Sequence, residues 1–189
     1  MQLTQARTAG DTATIQPGVW EVDPSHSTVQ FVSRHLMVAK VRGGFDDFSG
    51  SIEVAEKLED SSVRASIVAA SIDTGDTKRD EHLRSPDFLD VDNFPAIEFR
   101  STEVRSVNGD RWQLGGELSI RGITRPVTLD VDFNGTIVDP WGKQRLVFSA
   151  VTTVNREDFG LTWNQALESG GVLVGKDVRL ELEVEAVRK

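Results

Sequence analysis

Apolar side chains fall on alternate positions through most regular stretches of this chain. Over Val178-Arg179-Leu180-Glu181-Leu182-Glu183-Val184-Glu185-Ala186, five apolar residues interleave with four charged ones. A strand points successive side chains to opposite faces, so this period makes one apolar face and one wet face. The same reading predicts strands over Thr28–Ser33, Val41–Phe45, Ser49–Val54, Val63–Ala69 and Ala96–Val104. Val29 and Phe31 share a face, as do Ile97 and Phe99, and the break between the second and third of these strands falls at Asp46-Asp47. Further on, Trp112, Leu114, Leu118 and Ile120 oppose Gln113, Glu117, Ser119 and Arg121. Val127, Leu129, Val131, Phe133 and Ile137 are assigned to one inner face, with Thr128, Asp130, Asp132 and Asn134 outward. Leu146–Val154 and Val178–Val187 complete the set.

Turn signals at Asn108-Gly109, Arg121-Gly122-Ile123-Thr124 and Asp139-Pro140-Trp141-Gly142 favour short hairpins. Short connections make an antiparallel meander, because parallel pairing needs long crossovers. Asp76–Arg84 holds good helix formers and stops at Ser85-Pro86, which predicts a short helix; a second helical turn is expected around His35–Ala39. About eight antiparallel strands with one or two short helices predict an all-β, closed barrel. A barrel of that size is filled by its own side chains or leaves room for one ligand, and periodicity leaves both open. Small residues on the inner faces (Ala65, Ala69, Gly116 and Ala150) favour a hollow.

At 189 residues the chain fits one domain, read as a loosely ordered tail over residues 1–17 and a barrel domain over 18–189. Thirty acidic against 21 basic side chains give a net charge of −9, which argues against nucleic acid and against tight docking on anionic membranes. Cysteine is absent, which excludes disulfides, thiolate metal sites and a cysteine nucleophile. Residues 1–16 lack the apolar run of a secretory signal, and no later stretch is long enough for stable membrane insertion, so a cytoplasmic protein is expected.

Motifs for chemistry are sparse. His26, His35 and His82 show no paired-histidine metal spacing and read as hydrogen-bonded or surface residues; no metal or cofactor is expected. Asp80 and His82 stand two apart on the predicted helix and point to different sides, so Asp80 is not placed to orient His82. Asp158-Phe159-Gly160 matches a kinase motif in letters only, with no glycine-rich loop or His-Arg-Asp to accompany it. Glu181, Glu183 and Glu185 read as the wet face of the last strand.

Several longer motifs resemble one family. They are Asp23-Pro24-Ser25-His26-Ser27-Thr28-Val29-Gln30-Phe31, His35, Val41-Arg42-Gly43-Gly44-Phe45 and Phe48-Ser49-Gly50. Ser71-Ile72-Asp73-Thr74, Arg79-Asp80-Glu81-His82-Leu83-Arg84-Ser85-Pro86-Asp87-Phe88-Leu89-Asp90 and Phe94-Pro95-Ala96-Ile97-Glu98-Phe99-Arg100-Ser101 follow. Gly116 to Val127 and Arg156-Glu157-Asp158-Phe159-Gly160-Leu161 finish the match, which covers about residues 19–187. The chain resembles the YceI-like family of lipocalin-like, polyisoprenoid-binding barrels. The resemblance implies an extended eight-stranded antiparallel barrel, an isoprenoid or similar long lipid as ligand, a homodimer, and no shared enzymatic reaction. Two departures stand out. Many relatives carry a secretion signal, and the family commonly has Tyr where Phe94 precedes Pro95; this chain has no tyrosine, so no phenol hydroxyl meets a ligand.

The expected function is therefore non-enzymatic binding, storage or transport of a polyisoprenoid or other long-chain lipid. Strand parity nominates Phe31, Ile97, Phe99, Leu118, Ile120, Leu129, Val131, Phe133, Phe148 and Leu180 as the lining, with Phe45 added. Arg79, His82 and Arg84, near the predicted helix, are the candidates for a ligand's polar head at the barrel mouth. An enzyme or stress-response protein would need converging polar groups inside the barrel, and a scaffold would need a filled one.

Overall fold

The computed structural model describes residues 15–189. Eleven strands form one antiparallel sheet. They are β1 (Gly18–Val22), β2 (Thr28–His35), β3 (Ala39–Phe45), β4 (Phe48–Val54), β5 (Ser62–Val68) and β6 (Ile72–Asp73), then β7 (Ala96–Asn108), β8 (Arg111–Ile120), β9 (Ile123–Val138), β10 (Gln144–Asn155) and β11 (Val174–Arg188). β1 pairs with β4 and with the end of β11, while β2 pairs with β3 and the middle of β11. So β1 and β2 are two halves of one interrupted stave, as are β3 with β4, and β5 with β6. Counted this way, eight staves run up and down around a closed ring. The ring shuts where β11 meets β1, at Trp20↔Arg188.

The first interruption shows how sequence makes a break without opening the ring. Pro24 has no amide hydrogen to give a ladder. Asp23 instead donates its backbone N–H to Glu185 O (2.8 Å) and accepts from Ser25 N (3.0 Å) through its carboxylate. Ser27 Oγ and the Glu185 backbone then exchange hydrogen bonds, and the stave resumes.

The predicted helix is present as α1 (Thr77–Arg84), with the Asp76 carboxylate accepting from Arg79 N at its start. It is latched to the barrel by its own charged residues. Asp80, buried, accepts from Thr74 N (2.9 Å) and Oγ1 (2.6 Å), and Arg84 donates to Ala70 O and Ile72 O, each at 2.7 Å. The second helical turn expected at His35–Ala39 is a tight hairpin turn instead. Leu36 and Met37 take left-handed φ values of 52° and 67°, and pairing continues to His35↔Ala39. Ladder hydrogen bonds and the inward register of Val29 and Phe31 override local helix preference there.

One parity assignment is also corrected. Ile137 is 46% exposed on the outer surface. The β9–β10 register shifts between Phe148↔Phe133 and Val147↔Gly135, leaving Asn134 as an extra residue. Such a bulge swaps the two faces of everything beyond it. The tail expected over residues 1–17 lies outside the described residues except for its last three. There Ile15 packs beside Trp20, whose Nε1 donates to Gln16 O (3.1 Å), and Arg188 Nη2 donates to Pro17 O (3.1 Å).

Candidate functional site

The inward face of β11 is Val178, Leu180, Leu182 and Val184, with Arg179, Glu181, Glu183 and Glu185 outside, as its alternation predicts. Corresponding faces of the other staves surround a cavity of about 750 Å³. The interior is thus neither solid nor open at both ends. Trp20, Leu146 and Ala186, all at 0% exposure, pack with Val54 and Phe133 to seal one end. At the other end Arg34, Asp76 and Lys78 belong to the cavity wall and are also exposed, so the cavity reaches solvent there. That mouth lies among the β2–β3 turn, the start of α1 and the segment 163–174.

Phe31, Phe45, Ile97, Phe99, Leu118, Ile120, Leu129, Val131, Phe148 and Leu180 all lie on the cavity wall. Phe133 does not. It sits in the sealing cluster with its ring 5.3 Å from that of Phe148. Among the small residues, Ala65 and Ala150 border the cavity, whereas Ala69 is packed into the core. Gly116 leaves no space, because a Cβ there would lie 2.4 Å from the Phe99 ring. The glycine lets that aromatic ring lie flat against the sheet.

The polar groups gather at the mouth. His82 lies on the wall, with its Nε2 2.8 Å from Asp87 Oδ2 and its ring edge-on to Trp163 (4.6 Å) and Phe88 (5.0 Å). Asp80 is bonded to Thr74, so it does not orient His82. Arg79 also borders the cavity, but its guanidinium donates to Thr74 Oγ1 (2.7 Å) and Thr74 O (3.0 Å). Arg84 is not on the wall; its donors go to the carbonyls of the β5–β6 segment.

Strand parity gave no access to the segment between β10 and β11, which supplies Leu161, Trp163 and Leu173 to the wall. This segment has no alternation to read; the one available signal was a large aromatic, Trp163, standing in a polar stretch. Arg156 holds it in place. Its guanidinium is buried and donates to Gly175 O (2.9 Å), Trp163 O (3.0 Å) and Leu161 O. Burial lowers the pKa of that guanidinium from its ordinary value. Among the described residues no group of three or more His, Asp or Glu side chains is placed to hold a metal ion. Among the described residues no helix is long and apolar enough to cross a membrane.

Outside the barrel, Arg145 fastens the first stave's break to the rest of the wall. It donates to Asp23 Oδ2 (2.6 Å), Asp139 Oδ2 (3.1 Å) and Glu185 Oε2 (3.4 Å). Arg145, and after it His26, hold the Asp23 carboxyl well below the usual carboxylate range, against the opposing effect of burial. A carboxyl with a depressed folded pKa stabilises the fold above its unfolded value, about pH 4, and loses that contribution as pH falls further. Asp23→Asn is therefore expected to lower stability by about 2 kcal/mol at neutral pH. In urea titrations the gap from wild type should hold between neutral pH and about pH 5, then narrow below about pH 4. A gap that widened on acidification would contradict this account of Asp23.

The fold and the cavity together define a class: a lipocalin-like closed β-barrel around an apolar pocket, shut at one end. The chain belongs to the YceI-like family, whose domain matches residues 20–186. It is 42% identical over 167 residues to a UPF0312 protein of Staphylococcus aureus strain N315, covering 86% of this chain and 94% of that one. Among solved structures it is similar to BcnA of Burkholderia cenocepacia, with a TM-score of 0.76, 22% identity and coverage of 87% of this chain and 98% of that one. A YCEI protein of Campylobacter jejuni superposes with a TM-score of 0.71 at 26% identity, covering 82% and 90%. A polyisoprenoid binding domain from Saccharophagus degradans shares the fold at 13% identity, with a TM-score of 0.69 and coverage of 92% and 100%.

Proposed function

We propose that the protein binds, and stores or carries, a polyisoprenoid such as an isoprenoid quinone or prenyl lipid, or a similar long-chain lipid, without altering it chemically. The observation that carries this reading is the cavity itself: about 750 Å³, apolar along its length, closed at one end and reaching solvent at the other. Removing hydrocarbon from water contributes about 0.8 kcal/mol per CH₂, so ten such groups contribute about 8 kcal/mol before immobilisation is set against them. A chain that buries about twice as many carbons offsets that cost and reaches the micromolar range with no polar anchor within the barrel. A polar head would rest at the mouth beside His82, with Arg79 near it, while the chain extends toward Leu129, Val131 and Phe148. The Saccharophagus domain of the same fold supports this choice of ligand class. The homodimer implied by the family resemblance is part of the same proposal.

The enzymatic alternative asks for polar groups that converge on a substrate. Arg79, His82 and Arg156 on the cavity wall are each engaged with protein atoms, and Arg34, Asp76 and Lys78 stand at the exposed rim instead of converging inside the barrel. Native mass spectrometry of the purified protein, followed by organic extraction, tests the reading. The expected result is a co-purifying long-chain lipid that leaves only on denaturation. A folded protein that arrives empty and takes up neither a prenyl quinone nor a fatty acid would overturn it.

A further inference from the structure

The turn between β2 and β3 carries Leu36, Met37 and Val38 in succession, 44%, 53% and 78% exposed. Leu36 and Met37 hold left-handed backbone conformations, which the left-handed pair of a hairpin turn normally assigns to asparagine or glycine. The other tight turn at the same end, Arg121-Gly122, follows that preference at its second position, with φ 72° at Gly122. Leu36-Met37 does not. Leu36 N donates to Leu173 O (2.9 Å) and Met37 lies over Gly171, yet all three apolar side chains keep much of their surface in water. Such a backbone outlier with exposed apolar side chains points to function.

A second observation lies one step from the tip. Arg34 and Lys40 are register partners across β2 and β3, both exposed, and neither makes an ion pair among the described residues. Like charges directly opposite on paired strands repel. Lys78, exposed at the start of α1, likewise has no ion-pair partner among the described residues and stands on the rim of the same mouth. An apolar tip with unneutralised cations behind it, at the open end of an oily cavity, is complementary to an anionic bilayer.

We propose that the protein docks mouth-first on anionic lipid membranes through this tip. Leu36, Met37 and Val38 enter the boundary between headgroups and acyl chains, and Arg34, Lys40 and Lys78 meet lipid phosphates. Asp76, exposed on the same rim, and the remaining surface of a chain with a net charge of −9 are repelled by the same membrane. Attachment is accordingly weak, salt-sensitive and confined to one orientation, with the cavity facing the phase in which a long lipid dissolves. The proposal deepens the lipid-carrier reading and rests on it for its purpose, although docking requires no cargo.

Flotation of the full chain with vesicles of phosphatidylcholine and phosphatidylglycerol in equal amounts, at low salt, tests it. Wild type is expected to float with these vesicles and to stay behind with phosphatidylcholine alone. Leu36→Asn with Met37→Gly should relax the turn and raise the melting temperature, yet weaken vesicle binding at least ten-fold; a merely structural role for the turn would move both readouts together. Arg34→Gln with Lys40→Gln should weaken binding about thirty-fold and flatten its salt dependence. Trp141→Ser, at the sealed end and 79% exposed in wild type, should float as wild type does. Docking is overturned if wild type ignores anionic vesicles, if Trp141→Ser is the variant that releases them, or if the tip variants change the oligomeric mass and leave flotation alone. A protein that arrives empty and takes up neither a prenyl quinone nor a fatty acid, yet still floats, would overturn the carrier reading and leave docking standing.

Discussion

Leu129→Asp should prevent folding or abolish lipid uptake, whereas the change next to it, Asp130→Leu, should do neither. Leu129 is 9% exposed and borders the cavity from the middle of β9. Its replacement removes about 2 kcal/mol of apolar burial. It also places a carboxylate where nothing on the wall nearby can pair with it, which brings the total penalty to about 5 kcal/mol. Asp130 points the other way, and its carboxylate accepts only from Gln113 Nε2 (3.1 Å) on the exposed surface. Losing that contact should change stability by about 0.5 kcal/mol or less. Thermal unfolding followed by circular dichroism, with extracted lipid measured on the same samples, separates the two variants. Equal behaviour would mean that the inside and outside of β9 have been misassigned.

Trp20→Ala is expected to lower stability by about 4 kcal/mol, because the indole is wholly buried and the surrounding ring cannot collapse into its place. Trp20 packs with Leu146 and Ala186 in the plug, and it is held from both sides by pairing to Ile52 and Arg188. Removing it should also unseal that end, so that a bound fluorescent lipid exchanges faster from the variants that still fold. Trp20→Phe should restore most of the seal. If Trp20→Ala melted within about 1 kcal/mol of wild type and exchanged lipid at the same rate, the plug would not be what closes the cavity.

The alternation of Val178 through Ala186 was enough to place β11 and to fix which of its residues face the cavity. The same logic located Leu118, Ile120, Leu129 and Val131, because a half-buried strand can satisfy its apolar side chains in only one register. It failed at Ile137, where one extra residue at Asn134 reverses the faces; the signal for that bulge, Gly135 (φ 126°) inside the strand, lies outside the alternation. It also failed at His35–Ala39, where two residues with no turn preference are forced into one by the strands they join. The role of Arg84 was beyond reach for a different reason. A charged side chain on a short helix reads equally well as a ligand contact or as a latch, and only the positions of the Ala70 and Ile72 carbonyls decide between them. The segment from Leu161 to Val174 shapes the mouth through hydrogen bonds to Arg156, a tertiary arrangement with no sequence period at all.

The way the ring shuts has a kinetic consequence. Every other neighbouring pair of staves is consecutive along the chain, but the last seam unites Trp20 with Arg188, and Lys189 N with Val19 O. Until β11 has left the ribosome, both flanks of the nascent sheet remain unpaired and its oily side has no lid. Assembly must therefore wait for the longest loop the polypeptide can close, and such distant contacts are slow to form. A cell making this protein carries, for that interval, an open sheet with two adhesive edges.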